Sequence, residues 1–167
     1  MHVADRLNEA ATFYDKEARR CLKAKSYLAA SIMQVSALEA ALQAMCFLYS
    51  ADIKRTTVYQ RKRFRRRRYR ALEFTLFELI NIADQASWFP EKKINWGKRT
   101  NLAGFAHEIR ELRNFVHPGV LARERNPTKF SKDVYGVILE VFEVATSWLL
   151  HRIERSLRNR MKRDGLI

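Results

Sequence analysis

The first fifty residues contain neither glycine nor proline. That removes the two residues that most readily end a helix or turn the chain, so this stretch must be built from long elements. Its periodicity says which kind. Leu7, Ala10, Ala11, Tyr14, Ala18 and Cys21 recur at spacings of three and four and predict a helix from about 5 to 23. Leu28, Ile32, Val35, Leu38, Leu42, Met45 and Tyr49 keep the same period from about 25 to 50. Nothing in the sequence decides between one helix and two. Alanine-rich runs such as SALEAALQAM add high intrinsic helix propensity.

The rest of the chain follows suit, with only five glycines and three prolines in all 167 residues. A third helix is predicted from near Arg68 to about Ser87, with Leu72, Leu76, Leu79, Ile80 and Ala83 on one face and Pro90 beyond its end. FPEKKINWGKRT reads as a turn region, and Thr100 or Asn101 as the cap of the next helix. Proline restricts the residue before it, so that helix ends before Pro118 with His117 at or just past its terminus. Ser131 then caps a last helix running to about Met161. The expected fold is all-α: an up-and-down bundle of four to five helices in one domain, residues 1–167. That length buries a core without disulfides or metals.

Several function classes fall away. Cys21 and Cys46 form neither a CxxC pair nor a ligand cluster and read as buried, reduced thiols of a cytoplasmic protein. The apolar stretch from Leu28 to Ala51 is interrupted by Gln34, Glu39 and Gln43, which suits a core helix and no membrane partner. Residues 1–20 are charged throughout, unlike a secretory leader. WGKRT lacks the rest of a phosphate loop, and no zinc spacing or cofactor motif is present. Trp88, Trp96 and Trp148 read as packing residues, and His2 and His151 as surface residues.

Charge is concentrated. Ten of the net fourteen positive charges fall in KRTTVYQRKRFRRRRYR, residues 54–70, which has no acid. Like charges at neighbouring positions, preceded by β-branched Thr56, Thr57 and Val58, predict a loop over about 51–67. Arg61, Lys62, Arg63, Arg65, Arg66, Arg67, Arg68 and Arg70 are candidate phosphate contacts, with Phe64 and Tyr69 available for base stacking. A localisation signal or a solvated loop has the same composition, and an acidic inhibitor of antitoxin type would satisfy the same charge. A second basic cluster, RIERSLRNRMKR, lies in the last helix.

HEIRELRNFVHPG, residues 107–119, is the other feature. On a helical wheel Leu102, Phe105, Ile109, Leu112 and Val116 form an apolar stripe. His107, Arg110, Arg113, Asn114 and His117 form a polar stripe roughly opposite, with neighbours three or four residues apart. A solvated helix face and a reactive site both fit this pattern.

IRELRNFVHPG is similar to the Arg…His signature of the HEPN superfamily, a group of small all-α domains. SYLAASIMQVSALEAALQAM resembles that family's early helix, and TLFELINIADQASWFP resembles its middle helix. In this chain Arg113 precedes Asn114, but only three residues lie between it and His117. Arg110 leaves six residues between, within the family range, and is followed by Glu111. Either arginine suits the motif. The resemblance implies a metal-independent endoribonuclease of toxin or defence type, with a composite site across a homodimer. Other members resemble binding modules without catalysis.

The implied chemistry suits the residues. RNA cleavage without metal or cofactor needs a base for the 2′-OH, an acid for the leaving oxygen and cations for the charged phosphorane. His117 would serve as acid/base. Arg110 or Arg113 would hold the phosphate, and Asn114 would donate to it or orient the imidazole. A second His117 would come from a twofold partner. His107 lies at the edge of the stripe, and Glu39 is a candidate partner for a motif arginine.

Overall fold

In the computed structural model the chain is described over residues 3–65, 71–89, 103–104 and 132–165. Every regular element among these is a helix, in line with the all-α expectation. In chain order they are α1 (Val3–Lys23), α2 (Tyr27–Leu48), α3 (Ser50–Lys54), α4 (Thr57–Arg65), a short 3-10 turn (Ala71–Glu73), α5 (Leu76–Gln85) and α6 (Lys132–Arg163).

The first fifty residues form two helices, not one. The break uses no glycine. Lys25 adopts φ 60°, the Lys25 amide donates to the Leu22 carbonyl (2.9 Å), and the Ser26 amide donates to the Cys21 carbonyl (2.9 Å). These are the two reversed bonds of a Schellman ending with lysine in the left-handed position. The end of α5 repeats the device. Ser87 adopts φ 52° and the Trp88 amide reaches back to the Ala83 carbonyl (2.8 Å). A turn signalled by glycine would have been visible beforehand; these two were not.

The turn folds α1 back along α2, and small side chains line the seam. Ala4, Ala11 and Ala18 are fully buried at heptad spacing on α1, and Ala30, Ala37 and Ala44 are fully buried at the same spacing on α2. A hydrogen bond from Gln34 Nε2 to Asp15 Oδ1 (3.3 Å) fixes the register. In that register Ala4 lies level with Ala44, Ala11 with Ala37 and Ala18 with Ala30, to within one residue. With methyl groups on both sides, the two backbones approach more closely than leucines would allow.

α2 is the hub. It packs against α1, α3, the 3-10 turn, α5 and α6. Val35, Leu38, Leu42, Met45 and Cys46 are buried among Leu79, Ile80, Ile82, Leu149 and Ile153. Removing each large side chain from water stabilises the fold by about 1.5–3 kcal/mol. α2 is long and apolar enough to cross a membrane, yet most of it is buried inside the bundle. Polar groups interrupt this burial: among the described residues, Asn8 Oδ1, Gln34 Oε1 and Thr146 Oγ1 are buried without a hydrogen-bond partner.

Three expectations need correction. The predicted loop over 51–67 is helical at both 50–54 and 57–65. The predicted helix from Arg68 starts as α5 only at Leu76, because Thr75 and Glu78 form a reciprocal capping box. The Thr75 Oγ1 accepts from the Glu78 amide (3.3 Å) and Glu78 Oε2 accepts from the Thr75 amide (2.8 Å). Leu72 therefore precedes that helix and stays exposed, while Phe74 is buried instead. Cys21 is only half-buried, unlike Cys46, and both thiols are free.

The alanine seam predicts that Ala11→Leu lowers stability by about 1–3 kcal/mol through overpacking. Glu9→Leu, at an exposed position of the same helix, stays within about 0.5 kcal/mol; urea unfolding of both checks this. A second expectation concerns Cys46, whose burial pushes its thiol from about 9 to about 12. Above about pH 9 the unfolded chain releases a proton that the native state retains, so stability falls as pH rises toward about 12. Cys46→Ala removes that part of the slope in unfolding curves recorded across the window. In the native protein a thiol reagent labels Cys21 and spares Cys46 until denaturant is added.

Candidate nucleic-acid interface

The threonines that read as loop formers are the start of a helix. The Thr56 hydroxyl donates to the Ile53 carbonyl (2.7 Å) and accepts from the Tyr59 amide (3.3 Å), an N-cap for α4. One residue on, the Thr57 amide and hydroxyl both donate to Gln85 Oε1, at 2.8 and 3.1 Å. The far end of α5 thus clamps the first turn of α4. Val58 and Tyr59 pack against the core, while Gln60 and Arg61 are exposed. Lys62, Arg63 and Arg65 continue on this helix. The basic segment therefore begins as an anchored helix. The repulsion expected to open it is offset where the cap and the clamp satisfy the amides of its first turn.

Of the remaining sequence-predicted site residues, Arg66, Arg67, Arg68 and Arg70 lie outside the described residues. So do all four of the motif, Arg110, Arg113, Asn114 and His117, and also His107. Ala103, which leads into the motif segment, is buried in the core beside α2 and α5 residues. Glu39 is half-buried on α2.

A second feature was not anticipated. Where α6 passes the end of α2 there is a groove of about 560 Å³. Tyr49 forms one wall, and Trp148, His151, Arg152, Arg155 and Asn159 line it from α6. Trp88 stands behind it, fully buried. Its indole donates to Asp52 Oδ2 (3.4 Å), and its ring lies 6.2 Å from that of Tyr49. The Arg152 guanidinium sits over the Tyr49 ring, 5.2 Å from its centre, and reaches the Ser87 carbonyl at 3.5 Å. A cation held over an aromatic face is attracted by the ring's quadrupole, so Arg152 ties α6 to the ends of α2 and α5.

Trp148 departs from its expected packing role, since about half of its surface is exposed (49%). His151 is exposed as expected, but it has company. The signal was in the sequence. Trp148, His151, Arg152, Arg155 and Asn159 recur at three and four, a polar and aromatic stripe along one helix face. Read only as a basic tail, the segment hid that geometry. Among the described residues no group of three His, Cys, Asp or Glu side chains is arranged to hold a metal ion.

No family model, curated protein or solved structure matches this chain.

The clamp on α4 predicts that Gln85→Ala leaves the bundle folded, with a loss of no more than about 1.5 kcal/mol, the net worth of an ordinary hydrogen bond. The amides of Thr57 and Tyr59 exchange faster in that variant. Hydrogen exchange read residue by residue checks it, and unchanged protection at Thr57 would show that Gln85 does not hold the helix.

Proposed function

We propose that this protein is a HEPN-like RNA-binding protein. In this reading it is a metal-independent endoribonuclease of toxin or defence type that works as a cytoplasmic homodimer in a bundle of four to five helices. The observation that carries the reading is the Arg…His segment 110–117, on a chain whose described elements are all helices. Beside it stands the concentration of positive charge on and after α4. Phosphodiester cleavage at that segment divides into few roles. His117 exchanges protons with the 2′-hydroxyl and the leaving oxygen, which an imidazole does near neutral pH. Arg110 or Arg113 offers paired donors to the phosphate oxygens as charge develops on them. Asn114 orients the imidazole or adds a donor. α4 and the residues following it, from Arg61 to Arg70, gather the polyanion through contacts that weaken with salt.

The short interval between Arg113 and His117 favours a second reading, in which the same helical module binds RNA or an acidic protein partner and cleaves nothing. One experiment separates the two. Purified protein is incubated with labelled single-stranded and structured RNA in EDTA, beside His117→Ala and Arg113→Ala. The ribonuclease reading expects cleavage by the wild type, leaving 2′,3′-cyclic phosphate ends. It expects a loss of about 10²-fold or more in His117→Ala at unchanged thermal midpoint. Cleavage that persists in both variants places the chemistry elsewhere. Intact RNA that still shifts on a gel supports the binding module.

A further inference from the structure

The geometry points to a nucleotide-binding site in the groove between the end of α2 and α6, separate from the 107–119 motif. Its ligand is a nucleobase with its phosphate, either as a free nucleotide or as one unit of a single strand. The argument begins with what is engaged and what is not. Arg152 is committed to Tyr49 and to the Ser87 carbonyl, so it shapes the wall. Among the described residues, no hydrogen bond or ion pair engages His151, Arg155 or Asn159. These three side chains and Ser156 therefore face the groove with donors to spare, beside a half-exposed indole.

That combination selects its ligand. A guanidinium pairs with phosphate oxygens through two parallel donors. An exposed aromatic face stacks on any base, and an amide such as Asn159 can donate to and accept from a base edge. The groove carries no carboxylate on its described lining, so nothing there repels an anion. An acidic peptide would use the cations but would leave the Trp148 face without a flat partner. The cavity, about 560 Å³, lies within the usual range of small-molecule sites, about 300–1,000 Å³. This gives the basic tail of α6 a role that the reading of the 107–119 motif does not use, and the site does not depend on cleavage.

The test uses the full chain with two probes that lack a 2′-hydroxyl and so cannot be cleaved there. One is thymidine monophosphate, followed by calorimetry. The other is a labelled single strand of ten thymidines, followed by anisotropy. Trp148→Ala, Arg155→Ala and the charge-matched Lys23→Ala, exposed in the last turn of α1, are compared after their thermal midpoints are matched to the wild type. Losing the stack or the phosphate contact is expected to weaken binding about tenfold, while Lys23→Ala binds as the wild type does. If the mononucleotide binds as tightly as the strand, the ligand is a free nucleotide. If only the strand binds, the groove holds one unit of a longer chain. The inference is overturned if neither probe binds, or if both groove variants bind like the wild type. A loss with Arg155→Ala and none with Trp148→Ala also overturns it, because that describes an anion site without a base. None of these outcomes bears on whether His117 cleaves RNA.

Discussion

Close approach of α1 and α2 is the constraint on which the remaining packing depends. Six alanines at heptad spacing, three on each helix, allow it. Because the partner helix asks only for methyl groups, α2 keeps its larger side chains for other directions. Leu38, Leu42 and Met45 are then available to α5 and α6. An α2 facing leucines across that seam would stand farther from α1. The arrangement also accounts for an α2 that is apolar around most of its circumference: it has neighbours on several sides.

The helical content was legible because hydrophobic period is a robust signal in long segments. α1 falls where spacing puts it, and Val35, Leu38, Leu42 and Met45 of α2 are buried as the period predicts, while Leu28 of the same stripe is exposed and Ile32 only half-buried. The boundaries were not legible, for specific reasons. Lys25 and Ser87 occupy left-handed positions that the eye assigns to glycine. Thr56 and Thr57 look like strand or loop formers, yet one caps a helix and the other meets Gln85, twenty-eight residues away. A partner that distant leaves no trace in a local window. The Thr75–Glu78 capping box, by contrast, was readable in four consecutive residues and would have moved the start of α5 correctly. As for function, the basic segment stood out by composition alone. The groove on α6 did not, because its aromatic wall at Tyr49 comes from a residue about a hundred positions earlier.

The two cationic features of the described structure are built differently. α4 carries its charge close together on a short helix held at one end by a cap and a side-chain clamp. α6 carries its charge on a long helix whose opposite face is core, with Leu149 and Ile153 fully buried. The first suits gathering a polyanion at low selectivity, since it relies on charge. The second adds an indole and an amide, groups that distinguish one part of a ligand from another.

The position of α2 has a consequence for synthesis on the ribosome. Its α1 face is covered as soon as the neighbouring turn closes, a local event with little loop entropy to overcome. Its α6 face must wait. Roughly eighty residues separate Leu48 from Lys132, which at about 5–20 residues per second takes on the order of 5–15 s. For that interval the side of α2 that faces α6 stays open, a substrate for chaperones that hold exposed hydrophobic surface. The last helix is therefore what ends the chain's exposure to aggregation, and a ribosome stalled before it leaves that surface open.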